Sequence, residues 1–288
     1  MTISETVRKG AEILGKAGAS EAENDARELM LYLRNWNLTE YLMNVHEILT
    51  DSEAASYREL IGKRAERVPL QHLTGRAYFY GYEFLVNPSV LIPRFDTEIL
   101  VGTVLAENTG HQEKLSVLDL CTGSGCIAVT LKKEGGYGQV DASDIDPAAL
   151  HVAEMNAKRL GAEIRFLTGD LFAAIPAGSG IRYDLIVCNP PYIGESERDS
   201  LDPEVRDHDP EKALFAGADG LDFYRRISEE APKYLKPGGK IYLEIGYTQA
   251  EAVSLLLFQN GFSGIRTVQD LSGKDRVVRA DLLQETEK

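Results

Sequence analysis

The stretch Asp184-Leu185-Ile186-Val187-Cys188-Asn189-Pro190-Pro191-Tyr192 runs from an apolar segment into an amide, two prolines and an aromatic ring. The apolar segment predicts a buried strand, which puts the last four residues at its carboxyl end. Each proline fixes its own φ and removes an N–H. The carbonyls of Asn189 and Pro190 can therefore be held rigidly, and the Asn189 side-chain oxygen adds a third acceptor. Such a set suits a planar –NH2 group, whose two hydrogens need two acceptors. Tyr192 offers a face on which a planar group can stack. An amide or exocyclic amine nitrogen is a weak nucleophile because its lone pair is delocalised. Fixed acceptors orient that nitrogen and favour its pyramidalisation as it attacks, so their stabilisation grows toward the transition state. Holding it in line with an electrophilic carbon supplies the proximity term, and no strong base is needed because the product cation loses its proton readily. Asn189, Pro190 and Tyr192 are the candidate catalytic residues, and Asn189, Pro190, Pro191 and Tyr192 the candidate substrate site.

A second constellation lies upstream. Val117-Leu118-Asp119-Leu120 reads as a strand, and Cys121-Thr122-Gly123-Ser124-Gly125 as the turn into a helix. Gly123 and Gly125 permit tight dihedrals and close approach of backbone to ligand. Asp144 follows Gly125 by 19 residues at the end of the next strand, near the spacing at which an acid accepts from ribose hydroxyls. Asp146, just before Pro147, reads more simply as a helix N-cap. A third strand ends in Thr168-Gly169-Asp170-Leu171-Phe172, where Asp170 can accept from an exocyclic amine and apolar side chains can bracket a base. A dinucleotide turn normally carries three glycines. Counted from Gly123, the third position is Ala128, at best the permitted small variant. Asp119 near the strand end puts an anion at the site, which suits a cationic ligand better than a pyrophosphate. S-Adenosylmethionine, with a sulfonium and an ammonium and no phosphate, fits that electrostatic pattern, so methyl transfer is favoured over hydride transfer.

The elements that position these residues alternate. Ser116–Leu120, 139–143, 164–167, 185–188, 240–245, 265–269 and 277–280 are strand candidates. Helical runs at 126–133, 147–160, 221–235 and 249–260 lie between them. The pattern predicts an α/β domain with a doubly wound, mostly parallel, seven-stranded sheet, with ligands at the carboxyl ends of its strands. Residues 1–75 instead show helical periodicity and no catalytic motif, and predict a small all-α domain. Ser20 with Glu23 resembles a capping box opening its second helix. Tyr78 to Val86 is rich in β-formers around Gly81, and 76–93 is expected to be a β-hairpin linker. The remaining 94–288 form the catalytic domain.

The chain has 31 Lys plus Arg against 45 Asp plus Glu, a net charge of −14. That balance excludes a protein whose whole surface grips phosphates. Only −2 lies in residues 1–76, whereas 195–211 holds eight acids and two bases. A nucleic-acid substrate would meet repulsion beside Tyr192, and an adenine-N6 methyltransferase is the weaker alternative for that reason. A protein with a basic surface would be favoured there. No metal-ligand spacing is present, and Cys121, Cys126 and Cys188 read as buried thiols of a reducing compartment. No signal peptide or membrane-length apolar run is seen, so a cytoplasmic protein is expected.

Asn-Pro-Pro-Tyr after the fourth strand resembles the amino-group methyltransferases of the class I S-adenosylmethionine fold. Within them the chain is similar to the protein-(glutamine-N5) methyltransferases of peptide chain release factors over about residues 5 to 285. The likeness is carried by Leu73-Thr74-Gly75-Arg76 through Leu91-Ile92-Pro93-Arg94-Phe95-Asp96-Thr97-Glu98 and by Ala213-Leu214-Phe215-Ala216-Gly217-Ala218-Asp219-Gly220-Leu221. It is carried also by Leu243-Glu244-Ile245-Gly246 and Asp270-Leu271-Ser272-Gly273-Lys274-Asp275-Arg276. The resemblance implies a Rossmann-like fold with an N-terminal docking domain. It implies S-adenosylmethionine as cofactor, S-adenosylhomocysteine as product and a class I release factor as partner. It places Asp119, the Cys121, Thr122, Gly123, Ser124, Gly125 turn, Asp144, Asp170, Leu171, Phe172 and Asn189 around the cofactor. Asn189 to Tyr192 would hold the Gln of a Gly-Gly-Gln motif. No metal, membrane or nucleic-acid partner is implied, and a monomer is expected. The sequence departs from the pattern at Cys121, where the general fold has Gly, at Leu171, where an aromatic occurs in relatives, and at Phe95, where relatives often have Pro.

Overall fold

In the computed structural model residues 1–283 are described. The chain divides into two compact units, Met1–Arg76 with Asp202–His208, and Ala77–Leu201 with the residues from Asp209 onward. Among the described residues no helix is long and apolar enough to cross a membrane.

The first unit is helical, with α1 (Ile3–Lys16), α2 (Ala22–Arg34), α3 (Leu38–Asn44), α4 (Asp51–Ala65) and α5 (Leu70–Thr74). Three of these begin with reciprocal capping boxes, Thr2 with Glu5, Asn37 with Glu40 and Thr50 with Glu53, which satisfy N–H groups that the first turn leaves unpaired. The box expected from Ser20 and Glu23 does not form. The residue before α2 is Glu21, and it makes no side-chain cap. Ile3, Leu14, Leu29, Met30 and Ile61 fill the core, and the Tyr57 hydroxyl donates to the Ala26 carbonyl at 2.8 Å. Arg64 is buried and donates to Asp25 at 2.7 Å and to Glu204 at 2.8 Å. This is why the 202–208 segment belongs with the helices: a buried guanidinium needs both carboxylates.

The second unit begins with the hairpin of β1 (Arg76–Phe79) and β2 (Tyr82–Leu85), followed by α6 (Phe95–Glu107), β3 (Ser116–Leu120), α7 (Cys126–Thr130), β4 (Gln139–Asp144) and α8 (Pro147–Leu160). Then come β5 (Arg165–Thr168), β6 (Tyr183–Cys188), the short α9 (Pro203–Arg206, in the first unit), α10 (Asp222–Tyr234), β7 (Leu235–Glu244), α11 (Ala250–Gln259), β8 (Phe262–Gln269) and β9 (Asp275–Leu282). Seven strands form one sheet in the order β5-β4-β3-β6-β7-β9-β8, parallel except where β9 runs antiparallel to both neighbours. This is the doubly wound, mostly parallel sheet that the alternating pattern predicts. β3 is fully buried along its length, and both faces of the sheet are covered by apolar clusters. The hairpin packs into one of them through Phe79 and Phe84. The buried Asn156 of α8 holds the hairpin by accepting from the Leu85 N–H at 2.7 Å and donating to its carbonyl at 2.9 Å.

Chain order reverses between β3 and β6, which lie side by side with Leu120 opposite Cys188. The two segments singled out by their chemistry, 121–125 and 189–192, are the exits of these two strands. Adjacent strand ends at a reversal leave a crevice between diverging loops.

Candidate functional site

The turn after β3 is shaped by left-handed residues: Cys121 at φ 56°, Gly123 at φ 55° and Gly125 at φ 80°. At Gly123 nothing lies within 4 Å of where a Cβ would stand, so the backbone there is open to a ligand. Cys121 is the costly member, because a side chain in this region loses about 1–2 kcal/mol against right-handed backbone. Replacing it by Gly or Ala removes the same thiol, so the difference between the two isolates the backbone term. Cys121→Gly is expected to exceed Cys121→Ala in unfolding free energy by about 1 kcal/mol, read from denaturant midpoints at equal slope. Equal midpoints would show that the turn holds Cys121 without strain.

Two acids fix this turn from opposite sides. Asp144 at the end of β4 accepts from the Gly123 N–H and from the Asp146 N–H, each at 2.9 Å. Burial pushes its carboxyl above the ordinary value, while those two backbone donors oppose the shift. Asp146 caps α8 through the Ala148 N–H at 2.9 Å, with Pro147 at the first helical position, as its sequence context predicts. Asp119 is wholly buried beneath the turn, accepting on Oδ2 from the Thr122 hydroxyl at 2.6 Å and the Ala128 N–H at 3.2 Å. The expectation that it projects an anion into the site is corrected here. Asp119 is not part of the cavity wall, and its Oδ1 has no hydrogen-bond partner among the described residues.

Desolvation raises the Asp119 carboxyl to about 7, far above an unfolded Asp near 4. The native state therefore binds the proton more tightly than the unfolded chain, and this group's contribution to stability falls as pH rises from about 4 to 7. Asp119→Asn keeps an acceptor for Thr122 and Ala128 without the charge. Its gain in melting temperature over the parent is expected to be larger at pH 8 than at pH 5. A difference that does not vary with pH would show that Asp119 does not titrate in this range.

A cavity of about 230 Å³ lies over these elements. Cys121, Thr122, Gly123 and Ser124 line it from the turn, and Asp144, Asp170 and Leu171 from the neighbouring strand exits. Asn189 and Pro191 close it on the β6 side. Pro190 is buried beside them and is not on the wall. Tyr192 is partly buried and packs against the core cluster containing Tyr224. The expected placement of Phe172 against the cavity is also corrected: its side chain is fully buried and stacks on Tyr234 with ring centroids 4.7 Å apart. Leu171 faces the cavity instead, from a left-handed backbone at φ 49°.

Sequence reasoning assigned no role to Arg94, Thr97, Lys212, Phe223 and Arg226, all of which line the cavity. Phe223 supplies the aromatic surface that Phe172 does not. Each of the three cations is matched by an acid: Arg94 donates to Asp209 at 2.6 Å, Arg226 to Asp170 at 2.8 Å, and Lys212 pairs with Asp146. A pyrophosphate would have to break those pairs. A ligand with hydroxyl and amine donors would instead find the remaining acceptor positions of Asp144 and Asp170, and the open face of Gly123. The donor set thus fits S-adenosylmethionine.

The exit of β6 is clamped on its far side by the Ala213–Leu221 motif. The Ile193 N–H donates to the Leu214 carbonyl and the Ala216 N–H to the Ile193 carbonyl, both at 2.9 Å. Gln249 donates from Nε2 to the carbonyls of Tyr192 at 2.9 Å and Gly220 at 3.3 Å. Gly220 is at φ 75°, and a Cβ there would stand 2.3 Å from the Tyr192 oxygen, so only glycine allows this approach. The acidic segment 195–211 is less open than its composition suggests. Glu195 and Glu211 hold Arg198, Arg206 holds Asp207, Arg64 and Arg67 hold Glu204, and Asp209 is buried on Arg94.

A doubly wound sheet with this turn, this ribose-type acid and an Asn-Pro-Pro-Tyr exit across the strand reversal defines an S-adenosylmethionine-dependent methyltransferase. Two family models match, "PrmC N-terminal domain" over residues 5–75 and "Methyltransferase small domain" over residues 95–202. A release factor glutamine methyltransferase of Geobacter sulfurreducens is 42% identical over 92% of this chain and 91% of its own length. One of Bacillus cereus is 40% identical over 98% of this chain and 100% of its own. Among solved structures, a methyltransferase from Pyrococcus furiosus is 18% identical and superposes with a TM-score of 0.54, covering 71% of this chain and 91% of that one. The chain belongs to the release factor glutamine methyltransferase family.

Proposed function

We propose that Asn189, Pro190, Pro191 and Tyr192 receive the side-chain amide of the glutamine in a Gly-Gly-Gln motif of a class I release factor. In this reading the Cys121–Gly125 turn, Asp144 and the wall around Leu171 and Phe223 hold the cofactor. The chain methylates release factor glutamine, with S-adenosylmethionine supplying a methyl group on a sulfonium centre and leaving as S-adenosylhomocysteine. The observation that carries the assignment of residues is the pairing of Leu120 with Cys188. It sets the cofactor turn and Asn189 next to each other at one crevice.

Each residue then has a physical task. Asp144 accepts from ribose hydroxyls with the lone pairs that its two backbone donors leave free. Asp119 holds Thr122 and the start of α7, keeping the turn open above Gly123. Asn189 Oδ1 and a main-chain carbonyl of the Asn189–Pro190 pair accept the two amide hydrogens, which orients the nitrogen lone pair toward the cavity and strengthens as that nitrogen pyramidalises. Tyr192, fixed by Gln249 through its carbonyl, limits how far the amide plane can rotate. The proton released on methylation goes to water. The helical 1–75 domain docks the release factor, and the enzyme acts as a cytoplasmic monomer. An adenine-N6 reaction is not favoured, because the cations of the cavity wall are all committed to carboxylates.

The test is labelled-methyl transfer to a recombinant release factor and to the same factor with the Gln of Gly-Gly-Gln replaced by Ala. Label is expected only in the first. Equal labelling of both, or labelling of DNA or RNA instead, sinks the reading.

A further inference from the structure

Three motifs that the site has not so far used meet behind Asn189. Thr97 stands in the first turn of α6, Glu244 ends β7, and Arg276 opens β9. Asn189 Nδ2 donates to Thr97 Oγ1 at 3.1 Å. Thr97 and Glu244 are each 2% exposed, and Glu244 Oε2 has no hydrogen-bond partner among the described residues. Glu244 lies beside Thr97 and Asn189, whose polar side chains favour its ionised form against the burial that disfavours it. Arg276 closes the group: it pairs with Asp96 at 3.1 Å and Asp270 at 3.0 Å, and its carbonyl accepts from the Ile245 N–H at 2.9 Å. Thr97 lines the cavity beside Asn189, whereas Glu244 does not reach it.

We propose that Glu244, together with Thr97, is a positioning residue that sets which end of the Asn189 carboxamide faces the substrate amide. The argument is one of donor count. Burial raises the Glu244 carboxyl to about 7; above that pH it is ionised and only accepts, so the Thr97 hydroxyl donates to it. Its oxygen is then left as an acceptor for Asn189, which turns Nδ2 away from the cavity and Oδ1 into it. A carboxamide is nearly symmetric in shape and would otherwise take either orientation. In the flipped state it presents hydrogens to the hydrogens of the substrate. A Gln at 244 loses this control, because it can donate to Thr97 and permit the inverted chain of bonds. The proposal rests on the reading that Asn189 holds the glutamine amide.

The experiment compares Thr97→Val, Thr97→Ser and Glu244→Gln in the full-length enzyme, with release factor as substrate and side-chain NH2 exchange of labelled Asn189 followed by NMR. Thr97→Val and Glu244→Gln are expected to lower kcat by about 10- to 100-fold with KM nearly unchanged, and to speed Asn189 NH2 exchange. Thr97→Ser keeps the hydroxyl and is expected to stay close to the parent in both readouts. If Glu244→Gln fails to fold, the Val and Ser pair decides alone, since Val preserves the shape of Thr. Parental kcat in Thr97→Val with an active parent enzyme overturns the positioning role. A parent enzyme that does not methylate the glutamine at all overturns the substrate reading instead.

Discussion

Asn189→Ala is expected to lower kcat by about 10²- to 10³-fold while leaving cofactor affinity near that of the parent enzyme. The substitution removes one of the two acceptors assigned to the substrate amide and leaves the turn after β3 intact. None of the bonds that shape that turn involves Asn189: Asp144 holds Gly123, and Asp119 holds Thr122 and Ala128. The stabilisation that is lost is largest when the amide nitrogen is pyramidal, so kcat and kcat/KM should fall together. Asn189→Asp separates the acceptor from the donor. It retains an oxygen toward the cavity, yet it cannot donate to Thr97 and brings a second carboxylate beside Glu244. It should therefore also be impaired, and most at high pH, where both acids are ionised. The measurements are single-turnover labelled-methyl transfer to the release factor and calorimetric titration of the cofactor. Turnover at the parental rate in Asn189→Ala would remove this residue from the mechanism. A parallel loss of cofactor affinity would place it in cofactor binding instead.

The sheet and its two chemical strand exits were legible because their signals are local. Apolar runs of strand length alternate with helical ones, Asp146 precedes Pro147, and Asn-Pro-Pro-Tyr can hardly be anything but a fixed strand exit. The failures have a common cause in contacts between residues distant in the chain. Phe172 reads the same whether it faces a ligand or the core. Tyr234, 62 positions on, decides the matter by stacking on it. Asp119 reads as a strand-end acid, and only the fold shows that the turn closes over it. The return of 202–208 to the helical unit depends on the buried Arg64, which no pattern around Glu204 announces. Glu244 did leave a trace, a lone acid in an otherwise apolar run, but its meaning needed Thr97 and Asn189 beside it. Cys121 was legible as a departure from glycine, and the structure shows that the backbone kept its left-handed turn rather than relaxing to suit the side chain.

Asp144→Asn is expected to weaken cofactor binding by about 10²-fold or more, a larger effect than loss of one charge at a solvated site would give. Both oxygens of Asp144 already accept from backbone, Oδ2 from Gly123 and Oδ1 from Asp146. An asparagine must place its –NH2 against one of those N–H groups, whichever way it is turned. One backbone donor then faces a donor in a half-enclosed site, and the turn that carries Gly123 must move to escape it. Hydrogen bonds to a charged group contribute about 1.5–3 kcal/mol each, and each 1.4 kcal/mol is a tenfold change in affinity. Loss of the acceptor for ribose adds to the displacement of the turn, since both act on the same ligand. Asp144→Ala removes the acceptor without introducing a clashing donor, and should be the milder variant for stability though not for affinity. Titration of each variant with S-adenosylmethionine and with S-adenosylhomocysteine checks this. The two ligands share the ribose, so the loss must be of similar size for both. A loss confined to the cationic one would mean that Asp144 acts through charge and not by accepting hydrogen bonds from the sugar.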